Sequence, residues 1–134
     1  MKYWDSSALV PALLAGKDID GVTRPHTLSE VFSTFTGKGG VVERDGKNER
    51  VKLTAAEAVE IMGGLEGMVF QELTAAETFK AIAETSAKGI RGGAVHDWLH
   101  AVAAEKAGAS ALVTLNTSNF EAFRLAIPLE DPAS

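Results

Sequence analysis

The stretch "KYWDSSALVPALLAG", residues 2–16, decides how the rest of the chain is read. Two large aromatics, Tyr3 and Trp4, run straight into an acid, Asp5. Aromatic side chains suit a pleated, half-buried strand. An apolar run follows at once. Pro11 lies early enough to be tolerated in or near a first helical turn, and Gly16 stands near the helix end. A strand that ends at an acid and passes directly into an apolar helix is the opening of a strand–helix unit.

Outward from this unit the alternation continues. "GVTRPHT" (21–27) reads as a weak strand or extended connection, because Pro25 keeps the residue before it out of the helical region. "TLSEVFSTFTG" (27–37) has helical apolar spacing and stops at Gly37. "GKGGVVERDGKNERVKL" (37–53) is glycine-rich and mixed in charge, an exposed loop or hairpin. Then come a helix at 54–65, a strand at 67–73, an amphipathic helix at 74–89, a turn "IRGGAV", and the helix "HDWLHAVAAEKAG" (96–108). "ASALVTLN" (109–116) is a buried strand, "TSNFEAF" a short helix, and "RLAIPLE" (124–130) a candidate last strand. Strands alternating with helices predict a parallel sheet covered on both faces. In such sheets ligands bind beyond the carboxyl ends of the strands, where the strand order reverses.

The chain has 134 residues, enough for one domain, and at 46% hydrophobic residues it can bury a core. It has no cysteine, which removes disulfides, thiolate metal sites and a cysteine nucleophile and fits a reducing compartment. The opening lacks the basic segment and cleavage pattern of a signal peptide, and its apolar run is too short for a bilayer. A cytoplasmic protein without membrane attachment is expected. The net charge of −5 argues against a general nucleic-acid binder. Yet Lys38, Arg44, Lys47, Arg50 and Lys52 make the 38–52 segment locally basic, and Lys88 and Arg91 precede Asp97. These cations are candidates for gripping phosphates.

Three acids stand beside strand ends or helix starts: Asp5, Glu30 and Asp97. Asn116 and Asn119 follow the strand at 109–116. Gathered in one crevice, such oxygen donors suit Mg²⁺ or Mn²⁺, ions that promote phosphodiester cleavage. Each residue also has a plainer reading. Asp5 and Asp97 fit helix caps or the helix dipole, and Asn116 fits an N-cap. "TLSE" (27–30) has the capping-box pattern that recurs as "TAAE" at 54–57 and 74–77. "HDWLH" (96–100) comes close to the zinc-protease pattern H-E-x-x-H, with Glu121 as a conceivable third ligand. Asp97 is shorter than the usual Glu, however, and no third histidine follows. An exposed helix surface is the commoner fate of such histidines.

In order, these blocks resemble a PIN domain, in particular the VapC-like toxin ribonucleases of prokaryotic toxin–antitoxin pairs. "MKYWDSSALVPALL" is similar to the family's first strand, first acid and following Ser. "HTLSEVFSTFTG" is similar to the segment of the second acid. "GGAVHDWLHAVAAEKAGASALVTLNTSNFEAF" is similar to the third acid, its helix and the last core strand. The match runs from Met1 to about Pro128 and implies one domain over 1–128 with a polar tail at 129–134.

The resemblance implies a three-layer α/β/α fold with a parallel sheet of four to five strands. It implies catalytic and metal-holding roles for Asp5, Glu30 and Asp97, with Ser6 in support. It places the fourth acidic position at Asn116 and a further one at Asn119. Both are neutral amides, able to orient water or accept one weak metal bond but not to neutralise Mg²⁺. It implies a Mg²⁺- or Mn²⁺-dependent endoribonuclease, an RNA substrate, a homodimer and a cognate antitoxin. Val10, Leu13, Leu14, Val31, Phe32 and Phe35 then form either an antitoxin groove or plain core. Two other readings stay open. One is a PIN-like binding domain without catalysis. The other is an α/β phosphatase or hydrolase with Asp5 as nucleophile.

Overall fold

A computed structural model describes residues 1–132. Five short strands form a central sheet: β1 (Tyr3–Trp4), β2 (Val22–Thr23), β5 (Val69–Phe70), β6 (Leu112–Val113) and β7 (Leu129–Glu130). Every pairing in it is parallel, and the order is β5-β2-β1-β6-β7. Between β2 and β5 a separate antiparallel hairpin forms, β3 (Gly40–Arg44) and β4 (Lys47–Val51). The helices are α1 (Ser6–Leu14), α2 (His26–Thr36), α3 (Ala55–Met62), α4 (Ala75–Ala83), α5 (Thr85–Lys88), α6 (Ala94–Lys106) and α7 (Thr117–Glu121). The protein is an α/β fold with a five-stranded parallel sheet between two helical layers, as the alternation predicts.

Successive strand residues point to opposite faces of the sheet. Tyr3 joins a core with Trp98, Leu99 and Phe120 from α6 and α7, whereas Trp4 packs on the other face against Leu9, Val31 and Phe35 from α1 and α2. Buried alanines Ala101, Ala103 and Ala104 let α6 lie close on the sheet. The Trp98 indole N–H donates to the Ala81 carbonyl at 2.9 Å and ties α6 to α4. Val10, Leu13, Val31 and Phe35 are buried core, and Leu14 and Phe32 pack against it, so these residues do not form an open groove.

The chain steps from β1 outward to β2 and β5, then returns to place β6 on the other side of β1. The order therefore reverses between β1 and β6, and the crevice beyond these two strands is the expected site.

Four details depart from the sequence reading. Helix α2 begins at His26 and has no side-chain cap, so "TLSE" is not a capping box. The amphipathic segment 74–89 divides at Glu84 into α4 and α5. Helix α6 starts at Ala94, ahead of His96. Leu129–Glu130 pairs with β6, at the end of the candidate last strand 124–130, so the sheet reaches into the expected polar tail; residues 133–134 of that tail lie outside the described residues. Among the described residues, no helix is long and apolar enough to cross a membrane.

Candidate active site at the strand switch point

Asp5 leaves β1 as the N-cap of α1. One carboxylate oxygen, Oδ1, accepts from the Ser7 hydroxyl at 2.7 Å and the Ala8 amide at 3.3 Å. The other, Oδ2, accepts from Thr114 at the end of β6 at 2.8 Å. This last bond crosses the switch point. The residue is only 2% exposed. Burial pushes its carboxyl up from the ordinary range, with Ser7, Thr114 and the charge of His100 pulling the other way. The supporting hydroxyls are thus Ser7 and Thr114. Ser6, expected in that role, is half-buried and lines the cleft next to them.

Glu30 lies in the second turn of α2, not at its start. Its Oε1 is 2.6 Å from Nε2 of His100 on α6, and His100 Nδ1 is 2.7 Å from the Tyr3 hydroxyl on β1. Burial raises the Glu30 carboxyl, but the bond and charge of His100, with the charges of His26 and Arg24, outweigh it and hold the group low. Burial raises the Tyr3 phenol, which stays protonated. An ionised Glu30 requires a donor, so Nε2 carries the proton. The Tyr3 hydroxyl meets Nδ1, donating to it when the ring is neutral and accepting from it when the ring is charged. His100 is 2% exposed, not on the helix surface.

Asp97 sits in the first turn of α6, half-buried. Burial raises its carboxyl, and the like charge of Glu30 adds to this; His100, Asn119 and His96 offset part of it. Its Oδ2 accepts from the Asn119 amide at 3.5 Å, a weak contact. His100 follows Asp97 by one helical turn and acts electrostatically on all three acids. Of the three, Glu30 bonds the imidazole directly, while Asp5 and Asp97 feel its charge without touching it.

The two amides part company. Asn119 lines a cleft of about 530 Å³ with Asp97 and Lys88. Asn116 is exposed, caps α7 without a side-chain bond, and lines a second cleft of about 490 Å³ with Ser6 and Ser7.

The zinc pair does not form. His96 is exposed and stacks with His26 at 6.3 Å between ring centroids, and both ring nitrogens of His100 are engaged. Among the described residues, no three His, Asp or Glu side chains already close around one point where an ion would sit. The donor chemistry nevertheless fits a hard divalent cation. The three acids offer oxygens, and Asp5 and Asp97 are both pushed up by burial, a penalty that a nearby cation relieves.

Tyr3, Ser7, His100 and Thr114 were not expected at the site. Two local signals point to them: the i, i+3 spacing of Asp97 and His100, which shares a helix face, and a hydroxyl closing a buried strand at Thr114. No family model matches the sequence, and no curated protein matches it significantly.

Proposed function

We propose that this chain is a divalent-metal-dependent endoribonuclease of the PIN type, acting as the toxin of a toxin–antitoxin pair. The observation that carries the reading is that Asp5 bonds Thr114 across the β1/β6 switch point, while Glu30 and Asp97, from two further elements, lie within the field of the same buried His100 that Glu30 bonds. Asp5, Glu30 and Asp97 would hold the ion, with Asn116 and Asn119 as neutral oxygen donors at the margins. Bound Mg²⁺ or Mn²⁺ supplies the charge that acidifies water and screens a phosphodiester from the acids.

The chain's own residues divide the remaining work. Ser7, Thr114 and the Ala8 amide keep Asp5 fixed. His100, anchored by Tyr3, keeps Glu30 ionised and turned toward α6. Asp97 is the least restrained of the three. Its carboxylate, held only by the weak Asn119 contact, is free to turn toward an ion.

The test is incubation of labelled single-stranded RNA with Mg²⁺, with Mn²⁺ and with EDTA. Cleavage is expected only with the ions, and Glu30→Gln or Asp97→Asn should abolish it. Cleavage that persists in EDTA overturns the metal requirement, and no cleavage under any condition overturns the nuclease reading. Because Asn116 opens away from Asp97, a PIN-like binding domain without catalysis stays the second reading. It predicts RNA binding with no product.

For partners, Phe79 and Ile82 lie one turn apart on α4 and are 74% and 45% exposed, an apolar patch that suits a homodimer. A mainly apolar cleft of about 520 Å³ between α1 and the hairpin, lined by Trp4, Ala8, Pro11 and Val41, suits a segment of the antitoxin. Sedimentation of the pure protein, and copurification with the product of an adjacent small gene, test these two assignments.

A further inference from the structure

The hairpin has no part in the acidic site, yet its neck forms one wall of the cleft that opens beside Asp5. That cleft is lined by Lys38, Gly39, Gly40 and Arg50 on the hairpin side and by Ser6, Ser7 and Asn116 on the other. Ser7 is the same residue whose hydroxyl holds Asp5 at 2.7 Å. The cleft and the acids are therefore neighbours through a single side chain.

Two features fix this neck and, with it, the Arg50 guanidinium. The Arg50 guanidinium donates through Nη1 to the backbone carbonyls of Lys38 and Gly39, at 3.3 and 3.2 Å. Gly40 packs so tightly on α1 that a Cβ there would come within 2.6 Å of Val10 and Leu14. The neck is thus seated on the same helix that Asp5 caps. Among the described residues, neither Lys38 nor Arg50 has an acidic side chain within ion-pair distance. Arg44, further out on the hairpin, is paired with Glu49 at 3.6 Å. On a chain of net charge −5, two unneutralised cations held side by side next to an acidic centre call for an anion from outside.

Resting on the ribonuclease reading, we propose that Lys38 and Arg50 form a phosphate clamp. It grips the backbone of single-stranded RNA on the Asp5 side of the scissile bond. Arg50 offers the N–H groups not used on the hairpin carbonyls, and Lys38 offers its ammonium. Ser6 and the Asn116 amide are the polar groups across the cleft that can meet the adjoining phosphate or ribose. The clamp supplies affinity and register along the strand, not chemistry.

The experiment is fluorescence anisotropy of a labelled single-stranded RNA in EDTA, over a series of salt concentrations, so that binding is read without cleavage. The double variant Lys38→Ala/Arg50→Gln should weaken binding about tenfold at low salt. It should also flatten the salt dependence by about 1.4 units of slope, since each of the two phosphate contacts on a single strand contributes about 0.7. Lys38→Ala alone leaves the Arg50 bonds intact and should show part of the loss, which guards against a displaced hairpin. The control Lys80→Ala/Arg124→Gln makes the same change in net charge away from the cleft and should bind like the wild type. Equal loss in the control, no loss in the double variant, or no binding by the wild type overturns the clamp. Cleavage with Mg²⁺ is scored separately. Binding through the pair without cleavage removes the nuclease reading and keeps the clamp, whereas cleavage with binding indifferent to the pair removes only the clamp.

Discussion

The pattern T-x-x-E occurs at 27–30, 54–57 and 74–77, and the three copies have two different fates. At 54 and 74 it makes reciprocal capping boxes: the Thr hydroxyl accepts from the Glu amide, and the Glu carboxylate accepts from the Thr amide. These boxes sit at the protein surface. At 27 the Thr is fully buried and accepts from the Thr23 hydroxyl at 2.8 Å, while Glu30 reaches across to His100. The difference lies in what faces the helix. The first turns of α3 and α4 face water, so their polar side chains turn back to the orphan amides of their own helices. Helix α2 starts earlier, at His26, which moves Thr27 and Glu30 inside it and frees both for partners elsewhere.

The sharpest way to break this comparison is to make the same change in each copy. Glu30→Gln should lower RNA cleavage roughly 10²–10³-fold, the scale of losing one charge that stabilises a transition state. Glu57→Gln should leave the rate unchanged. Equal effects would mean that Glu30 is only a structural acid.

Next in size is the anchor. His100→Leu removes the donor to Glu30 and leaves the buried Tyr3 hydroxyl without its partner, a cost of about 1–3 kcal/mol in urea denaturation. Cleavage should fall about 10–100-fold, as when a group supporting a metal ligand is lost. His100→Gln, which keeps a donor, should recover part of the rate.

A third effect concerns Asp5 and carries a definite sign. Its carboxyl is raised in the folded state, so the folded protein holds the proton more tightly than the unfolded chain. The ionised group therefore costs stability above the folded-state value. That cost fades as pH falls through this value and is gone below the unfolded one. Asp5→Asn should accordingly raise the thermal midpoint at neutral pH in EDTA, with the gain shrinking on acidification. A midpoint lowered at neutral pH would contradict a strained, buried carboxylate. Glu30 has the opposite sign. Its carboxyl is held low, so its contribution is present above the ordinary carboxylate range and is lost as pH falls through the folded value.

Smallest are the caps themselves. Thr54→Ala and Thr74→Ala should each cost about 1 kcal/mol of stability and leave cleavage untouched.

How far the sequence was legible follows the same division. The strands of the central sheet are only two residues long, yet short apolar segments bounded by turns and followed by helices were enough to predict a parallel sheet and its strand-end crevice. Asp5 and Asp97 were legible because each stands where a strand ends or a helix begins. Their partners were not. Thr114 bonds Asp5 across 109 positions, Tyr3 bonds His100 across 97, and His100 bonds Glu30 across 70. Periodicity tells which face a residue occupies, not which distant residue meets it there. The resemblance implies Ser6 as the support whereas Ser7 makes the bond to Asp5, since adjacent hydroxyls at a helix start differ in the direction they point.

The central claim is that Asp5, Glu30 and Asp97 form a divalent-metal site. It is tested most directly by a crystal of the protein soaked in Mn²⁺ and measured for anomalous scattering. The account predicts one strong peak in the β1/β6 crevice, within coordination distance of Asp97 and at least one of Asp5 and Glu30, and its loss in Asp97→Asn crystals. A crevice without a peak, or Mn²⁺ bound only elsewhere, would contradict it.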